Sequence, residues 1–196
     1  AALAMPGVVA VLTGEDVAAA GLKSLGVALP FKRPDGSDLA APPRPILAQG
    51  LVRFVGEPVA AIIAESAAAA RDAAEAVMVD YEELPAVTGL RDAIAPGAPQ
   101  LWPAAGNNIV AETRYGDQAA VEAAFAKATH VVALDLVNQR LAPVSMEPRV
   151  VLAEYDGARD RFTIRMSTQM PSGFRDQLCK EVLDIPTDRV RVLVGD

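Results

Sequence analysis

The sequence predicts a mixed α/β chain of the α+β kind, built as two units. Three observations predict it. Apolar residues alternate with a period of two in segments such as Phe162, Ile164 and Met166, or Val190, Val192 and Val194, which reads as half-buried strand. Other segments carry helical spacing, notably the alanine-rich stretch after Ser66 and the stripe of Phe174, Leu178 and Val182. Finally, Ala95-Pro96-Gly97-Ala98-Pro99, followed by Pro103 and Gly106-Asn107-Asn108, punctuates the middle of the chain. The expected division is a first unit at 1–95, a linker at 96–108 and a second unit at 109–196, and 196 residues that are 52% hydrophobic suffice for two small cores.

In the first unit, Ala1 to Met5 reads as a last helical turn stopped by Pro6-Gly7, and Val8 to Leu12 as a short strand. Thr13-Gly14-Glu15-Asp16-Val17 follows as a cap and a helical turn. Residues 29–45 hold Pro30, Pro34, Pro42, Pro43 and Pro45 with Asp35-Gly36, so no regular structure is expected there. From Leu51 to Tyr81 the pattern predicts strand (51–55), tight turn (Gly56-Glu57-Pro58), strand (59–64), helix (66–76, capped by Ser66) and strand (77–81). That is a strand-helix-strand crossover. Leu90 to Ile94 reads as one helical turn.

The second unit opens with an expected strand at 109–115. Asp117 then caps a short helix with Val121, Ala124 and Phe125 on one face. Strands are expected at 129–137, 149–155 and 162–167, the last two joined by a hairpin turn at Asp156-Gly157. Pro171 can begin a helix that runs to Ile185-Pro186, and a strand over 190–194 follows.

Composition excludes several functions. A net charge of -7 with no run of Lys or Arg argues against a nucleic-acid partner. The longest strongly apolar stretch, Val59 to Ala64, is far short of the roughly 20 residues of a membrane-spanning helix, so no membrane partner and a cytoplasmic location are expected. The single cysteine, Cys179, cannot form an internal disulfide or hold a cluster, and beside the apolar helix stripe it reads as a small core residue. His130 is the only histidine and reads as a half-exposed residue at a strand start. Gly21-Leu22-Lys23-Ser24 has the wrong glycine spacing for a phosphate-binding loop, and Glu82-Glu83 point to opposite faces of a strand and read as solvated charge.

Ordered motifs add what composition does not. Arg53-Phe54-Val55-Gly56-Glu57-Pro58-Val59-Ala60, then Ile62-Ile63-Ala64-Glu65, an alanine-rich helix, and Val79-Asp80-Tyr81-Glu82-Glu83-Leu84-Pro85-Ala86-Val87 follow one another. This series resembles the α/β hammerhead domain of molybdenum hydroxylase large subunits, the family of xanthine dehydrogenase, aldehyde oxidase and aerobic carbon monoxide dehydrogenase. Pro6-Gly7-Val8-Val9-Ala10-Val11-Leu12-Thr13 is similar to the segment that opens that domain. Downstream, Asn138-Gln139-Arg140, Met146-Glu147-Pro148-Arg149 and Ser167-Thr168-Gln169 with Pro171 and Arg175 resemble the start of the family's first molybdopterin-binding domain. Ser172 stands where many relatives carry histidine, so the resemblance assigns no substrate.

The resemblance implies a molybdopterin-type molybdenum cofactor in the parent protein, in its cytosine dinucleotide form if the source is bacterial. It also implies iron–sulfur and FAD subunits or domains as partners and a small-molecule substrate. It matches Gln169 to the family's glutamine that hydrogen-bonds an oxygen ligand of molybdenum, a catalytic and cofactor-binding role, with no residue here as a metal ligand. Read from the residues alone, Gln169 is a strand-end amide capping the helix that follows. Gln139, Arg140 and Glu147 are expected to fix a loop through hydrogen bonds or an Arg–carboxylate pair.

The expected function is part of an oxidoreductase large subunit that oxidises or hydroxylates a carbon centre (carbon monoxide, an aldehyde or an N-heterocycle) with oxygen from water. The chain by itself is expected to carry no cofactor and to be inactive, because in the family the base and most pterin loops lie beyond position 196. The alternatives are a non-catalytic scaffold of hammerhead fold and an enzyme of another class. A Gly-Gly-Gly-Phe-Gly segment downstream of Asp196 would separate them.

Overall fold

A computed structural model describes residues 1–26, 32–105, 108–139, 141–142 and 144–195. Its first sheet is a two-stranded antiparallel pair, β1 (Val8–Thr13) with β2 (Ala60–Ala64), in which Val11 faces Ile62 and Thr13 faces Ala60. A 3-10 turn at Ala2–Ala4 precedes β1. At the end of β1, Thr13 and Asp16 form a reciprocal cap. The Thr13 hydroxyl oxygen accepts from the Asp16 amide and the Asp16 carboxylate accepts from the Thr13 amide at 2.7 Å, which starts α1 (Gly14–Ala19). The hydrogen bonds that the Asp16 carboxylate accepts from Thr13, from the backbone amide first and then from the hydroxyl, hold its carboxyl below the ordinary pKa. Gly14 has to be glycine, since a Cβ there would lie 2.2 Å from the carbonyl oxygen of Ala48.

β2 is the expected apolar strand, although it is half-buried, with Ile63 46% exposed. Ser66 caps α2 (Ala67–Glu75) by accepting from the Ala69 amide at 3.1 Å, and the helix lays Ala73, which is fully buried, against the sheet.

The expected strands at 51–55 and 77–81 do not form, and the strand-helix-strand crossover falls with them. Over 51–58 the backbone closes on itself instead. The Arg53 amide donates to the Glu57 carboxylate at 2.6 Å, the Glu57 amide donates to the Phe54 carbonyl, and Gly56 turns at φ +91° with Val55 fully exposed at the tip. Groups used within a loop are lost to a ladder. At 77–81 the alternation is present, but no neighbouring strand is supplied by the described residues, and Val79 and Tyr81 are exposed.

Of the proline-rich stretch, 29–31 lies outside the described residues. The rest is irregular, with a turn at Pro34-Asp35-Gly36 and an isolated bridge between Leu25 and Arg44. Leu90–Ala93 forms α3. The stretch after it is folded tightly. The Asn108 side chain accepts from the Leu101 amide and donates to the Ala93 and Pro99 carbonyls, each at 2.9 Å, while Arg53 donates to the Leu101 carbonyl and stacks over Trp102.

Beyond it, Asp117 caps α4 (Gln118–Lys127) as expected, yet Val121 and Phe125 stay exposed. The expected strands at 109–115 and 129–137 are absent. Val132, Leu134 and Leu136 are each about four-fifths exposed or more. Alternation states which side chains a strand would bury, and no strand lies beside these segments among the described residues. His130, expected half-exposed at a strand start, is exposed on that same extended segment.

The second sheet has the order β3-β4-β5: β3 (Val151–Asp156) runs antiparallel to β4 (Arg161–Met166), and β5 (Val190–Leu193) runs parallel to β4. Asp156 makes the hairpin by accepting from the Ala158 and Arg159 amides. Between β4 and β5 the chain crosses over through α5 (Pro171–Gln177), which continues as a π-helical segment, Leu178–Leu183. Asp184, left-handed at φ +54°, ends it, with the Ile185 amide reaching back to the Cys179 carbonyl at 3.0 Å. Ile164, Cys179 and Val190 form the buried core here, with Phe162, Met166, Phe174 and Leu178 packed around them. Cys179 is the small core residue expected, and burial pushes its thiol pKa up. No helix among the described residues is long and apolar enough to cross a membrane.

Candidate functional site

Parallel strands connected by a helix send their carboxyl ends to one edge of a sheet, where α/β folds present groups to ligands. Here β4 leaves the sheet at Met166 and β5 at Leu193, so Ser167, Thr168 and Gln169 sit at that edge. The register Val151 with Met166 brings the segment entering β3 to the same place. Glu147 arrives there and its carboxylate accepts a hydrogen bond from the Ser167 hydroxyl at 2.5 Å, while the Ser145 hydroxyl donates to the Glu147 carbonyl at 3.2 Å. Two motifs about 20 residues apart thus meet through one hydrogen bond, which is the loop-fixing role expected of Glu147.

The bend itself is made locally. The Met170 amide donates to the Thr168 hydroxyl at 3.2 Å, which turns the chain at Gln169 before Pro171 starts α5. Gln169 is exposed, and among the described residues its amide is engaged in no hydrogen bond. It does not cap α5: Met170 is the residue at the helix start, and no side chain caps it. The capping reading of Gln169 is therefore corrected, because Met170 occupies the cap position and Gln169 lies one residue outside it. Gln139 is exposed on an irregular segment, away from any described hydrogen bond, and Arg140 lies outside the described residues.

Further along the helix, Asp176 accepts from Lys180 at 3.0 Å and from Arg175 at 2.9 Å, and these cations, Lys180 first, hold its carboxyl below its ordinary pKa. No group of His, Cys, Asp and Glu among the described residues could hold a metal ion. The edge offers a neutral amide, a hydroxyl and a hydrogen-bonded carboxylate, a set suited to orienting a ligand.

Sequence reasoning missed a second polar cluster. Lys23, Gly26 and Arg44 from the first sheet's side meet Glu181 around an open cleft of about 550 Å³, and Lys23 also reaches Asp184 at the end of the π-helical segment. Its partners are some 160 residues apart in the chain, as with Lys23 and Asp184 at a separation of 161, so no local spacing could reveal it.

Residues 1–85 match the family model described as aldehyde oxidase and xanthine dehydrogenase, a/b hammerhead domain. Residues 101–196 match the molybdopterin cofactor-binding domain. The chain is 35% identical to the carbon monoxide dehydrogenase large chain of Hydrogenophaga pseudoflava, over 100% of this chain and 24% of that protein. It is 37% identical to the nicotine 6-hydroxylase large subunit of Paenarthrobacter nicotinovorans, over 87% of this chain and 20% of that one. The fold superposes on the crystal structure of quinoline 2-oxidoreductase from Pseudomonas putida 86 with a TM-score of 0.82 and 32% identity, covering 100% of this chain and 24% of that one. The chain thus spans about a quarter of the length of these relatives.

Proposed function

The chain belongs to the molybdenum hydroxylase family of xanthine dehydrogenase, aldehyde oxidase and carbon monoxide dehydrogenase large subunits, and from that premise we propose that the edge carrying Gln169 faces the molybdenum cofactor of a hydroxylase. The parent protein then oxidises or hydroxylates a carbon centre in a small molecule: carbon monoxide, an aldehyde or an N-heterocycle. The chemistry supplied by the bound cofactor, in its cytosine dinucleotide form if the source is bacterial, is a two-electron oxidation with oxygen drawn from water. The electrons leave through iron–sulfur and FAD subunits or domains, in the cytoplasm.

The observation that carries this reading is the exposed amide of Gln169, free of hydrogen bonds among the described residues, on a bend at the carboxyl edge of a parallel strand pair. A neutral amide suits the place. It donates to an acceptor on the cofactor without adding charge and without competing for the metal. Ser167 and Glu147 hold the bend from one side and Thr168 turns it, so the amide is presented by a fixed backbone.

The test is Gln169→Ala in the full-length, cofactor-loaded parent. Turnover should fall on the order of 10- to 100-fold at unchanged molybdenum content, the usual loss when a group that orients a metal site is removed. Gln177→Ala, exposed on α5, is the silent control. Equal turnover for Gln169→Ala and the parent at matched molybdenum content sinks the proposal.

A further inference from the structure

Residues 22–26, which follow α1, reach across to the far end of the helix that begins beside Gln169. The Lys23 amide donates to the Val182 carbonyl at 3.1 Å, the Lys23 ammonium to the Asp184 carboxylate at 2.6 Å, and the Gly26 amide to the Glu181 carboxylate at 3.1 Å. The segment is held from its own side too: the Gly26 carbonyl accepts from the Arg44 guanidinium at 3.0 Å, and Leu25 bridges to Arg44.

The contacts fall on Glu181 and Val182 near the end of the π-helical segment and on Asp184, which ends it, where a helix leaves carbonyls without partners inside it. A solvent-exposed ion pair such as Lys23–Asp184 contributes little by itself. Glu181 differs, being half-buried and receiving a backbone amide, and the Val182 carbonyl receives another. From Pro171 to Leu183 the helix is continuous, with Cys179 and Val182 buried in its middle and end. Such a rod, seated on the sheet through its buried residues, transmits the placement of one end to the other.

We propose that residues 23–26 act as a clasp on the π-helical end of this rod and so position the 167–170 bend at its other end, with Glu181 as the positioning residue. The consequence for turnover rests on the function proposed for Gln169; the mechanical link does not.

The experiment is amide hydrogen exchange on the full-length, cofactor-loaded parent and its Glu181→Ala and Glu181→Gln variants, with kcat and KM measured alongside. Glu181→Ala removes the acceptor for the Gly26 amide, and exchange should quicken about tenfold both at 178–184 and at 167–170. kcat should fall several-fold with KM little changed. Glu181→Gln keeps an oxygen acceptor and should restore slow exchange at both places. Faster exchange confined to 178–184, or unchanged throughout, overturns the clasp. Gln169→Ala, measured in parallel, separates the two ideas: if it is silent while exchange at 167–170 still responds to Glu181→Ala, the role of Gln169 fails and the clasp stands.

Discussion

Ile164 lies in the central strand of the second sheet, 7% exposed, against Cys179 and Val190. Replacing it with alanine removes three carbons from this core. At about 0.8 kcal/mol per buried CH₂ the transfer part is about 2.4 kcal/mol. Incomplete collapse around the hole raises the expected total to about 3–4 kcal/mol. Ile164→Val removes one carbon and should cost about 1 kcal/mol. Leu152 on β3, paired with Arg165 and 55% exposed, gives the contrast: Leu152→Ala deletes as many carbons and should cost less than about 1 kcal/mol. Urea unfolding followed by far-ultraviolet circular dichroism, compared at equal m-value, measures all three. A Leu152→Ala loss equal to that of Ile164→Ala would refute the placement of the core between β4 and the helix.

Two further predictions follow from titratable groups. Cys179 is fully buried with a raised thiol pKa caused first by burial, so a neutral-pH disulfide reagent should react more than about tenfold faster in urea than with the folded protein; equal rates would place the thiol at the surface. Asp160 at the β3–β4 hairpin accepts from the Tyr155 hydroxyl at 2.8 Å and from Arg189, and these partners, Tyr155 first, lower its carboxyl below the ordinary 3.8. Its contribution to stability is therefore present above pH 3.8 and lost as pH falls through the lower folded value, so Asp160→Asn should flatten the decline of the urea midpoint below about pH 4, and an unchanged decline would contradict this.

What the sequence made legible was whatever is decided within a few residues. Thr13, Ser66 and Asp117 were readable as caps because the cap and its amide lie three positions apart. The β3–β4 hairpin was readable because alternation and Asp156-Gly157 coincide. The strand expected at 77–81 has the same alternation and those at 109–115 and 129–137 carry apolar runs, yet a strand is completed by a neighbour's backbone, and a local pattern contains nothing about the neighbour. At 51–58 the local signal misled for another reason, since Glu57 takes the Arg53 amide that a strand would have offered to a partner.

The helix after Gln169 was legible in part, and the part that escaped bears on the site. Phe174, Leu178 and Val182 repeat every four residues, and on an α-helix of 3.6 residues per turn each such step advances the stripe by roughly 40°. Two steps would carry Val182 well off the line of Phe174. The structure instead widens to i→i+5 turns from Leu178 onward, which returns the second step, and Val182 ends buried with Cys179. A strict four-residue repeat is thus a reason for the π-helical segment, which sequence periodicity at 3.6 reads only as a slightly imperfect α-helix. Glu181 stands one residue before Val182 and Asp184 two after it, so the carboxylates that accept from Gly26 and Lys23 flank the residue that the widened turn buries.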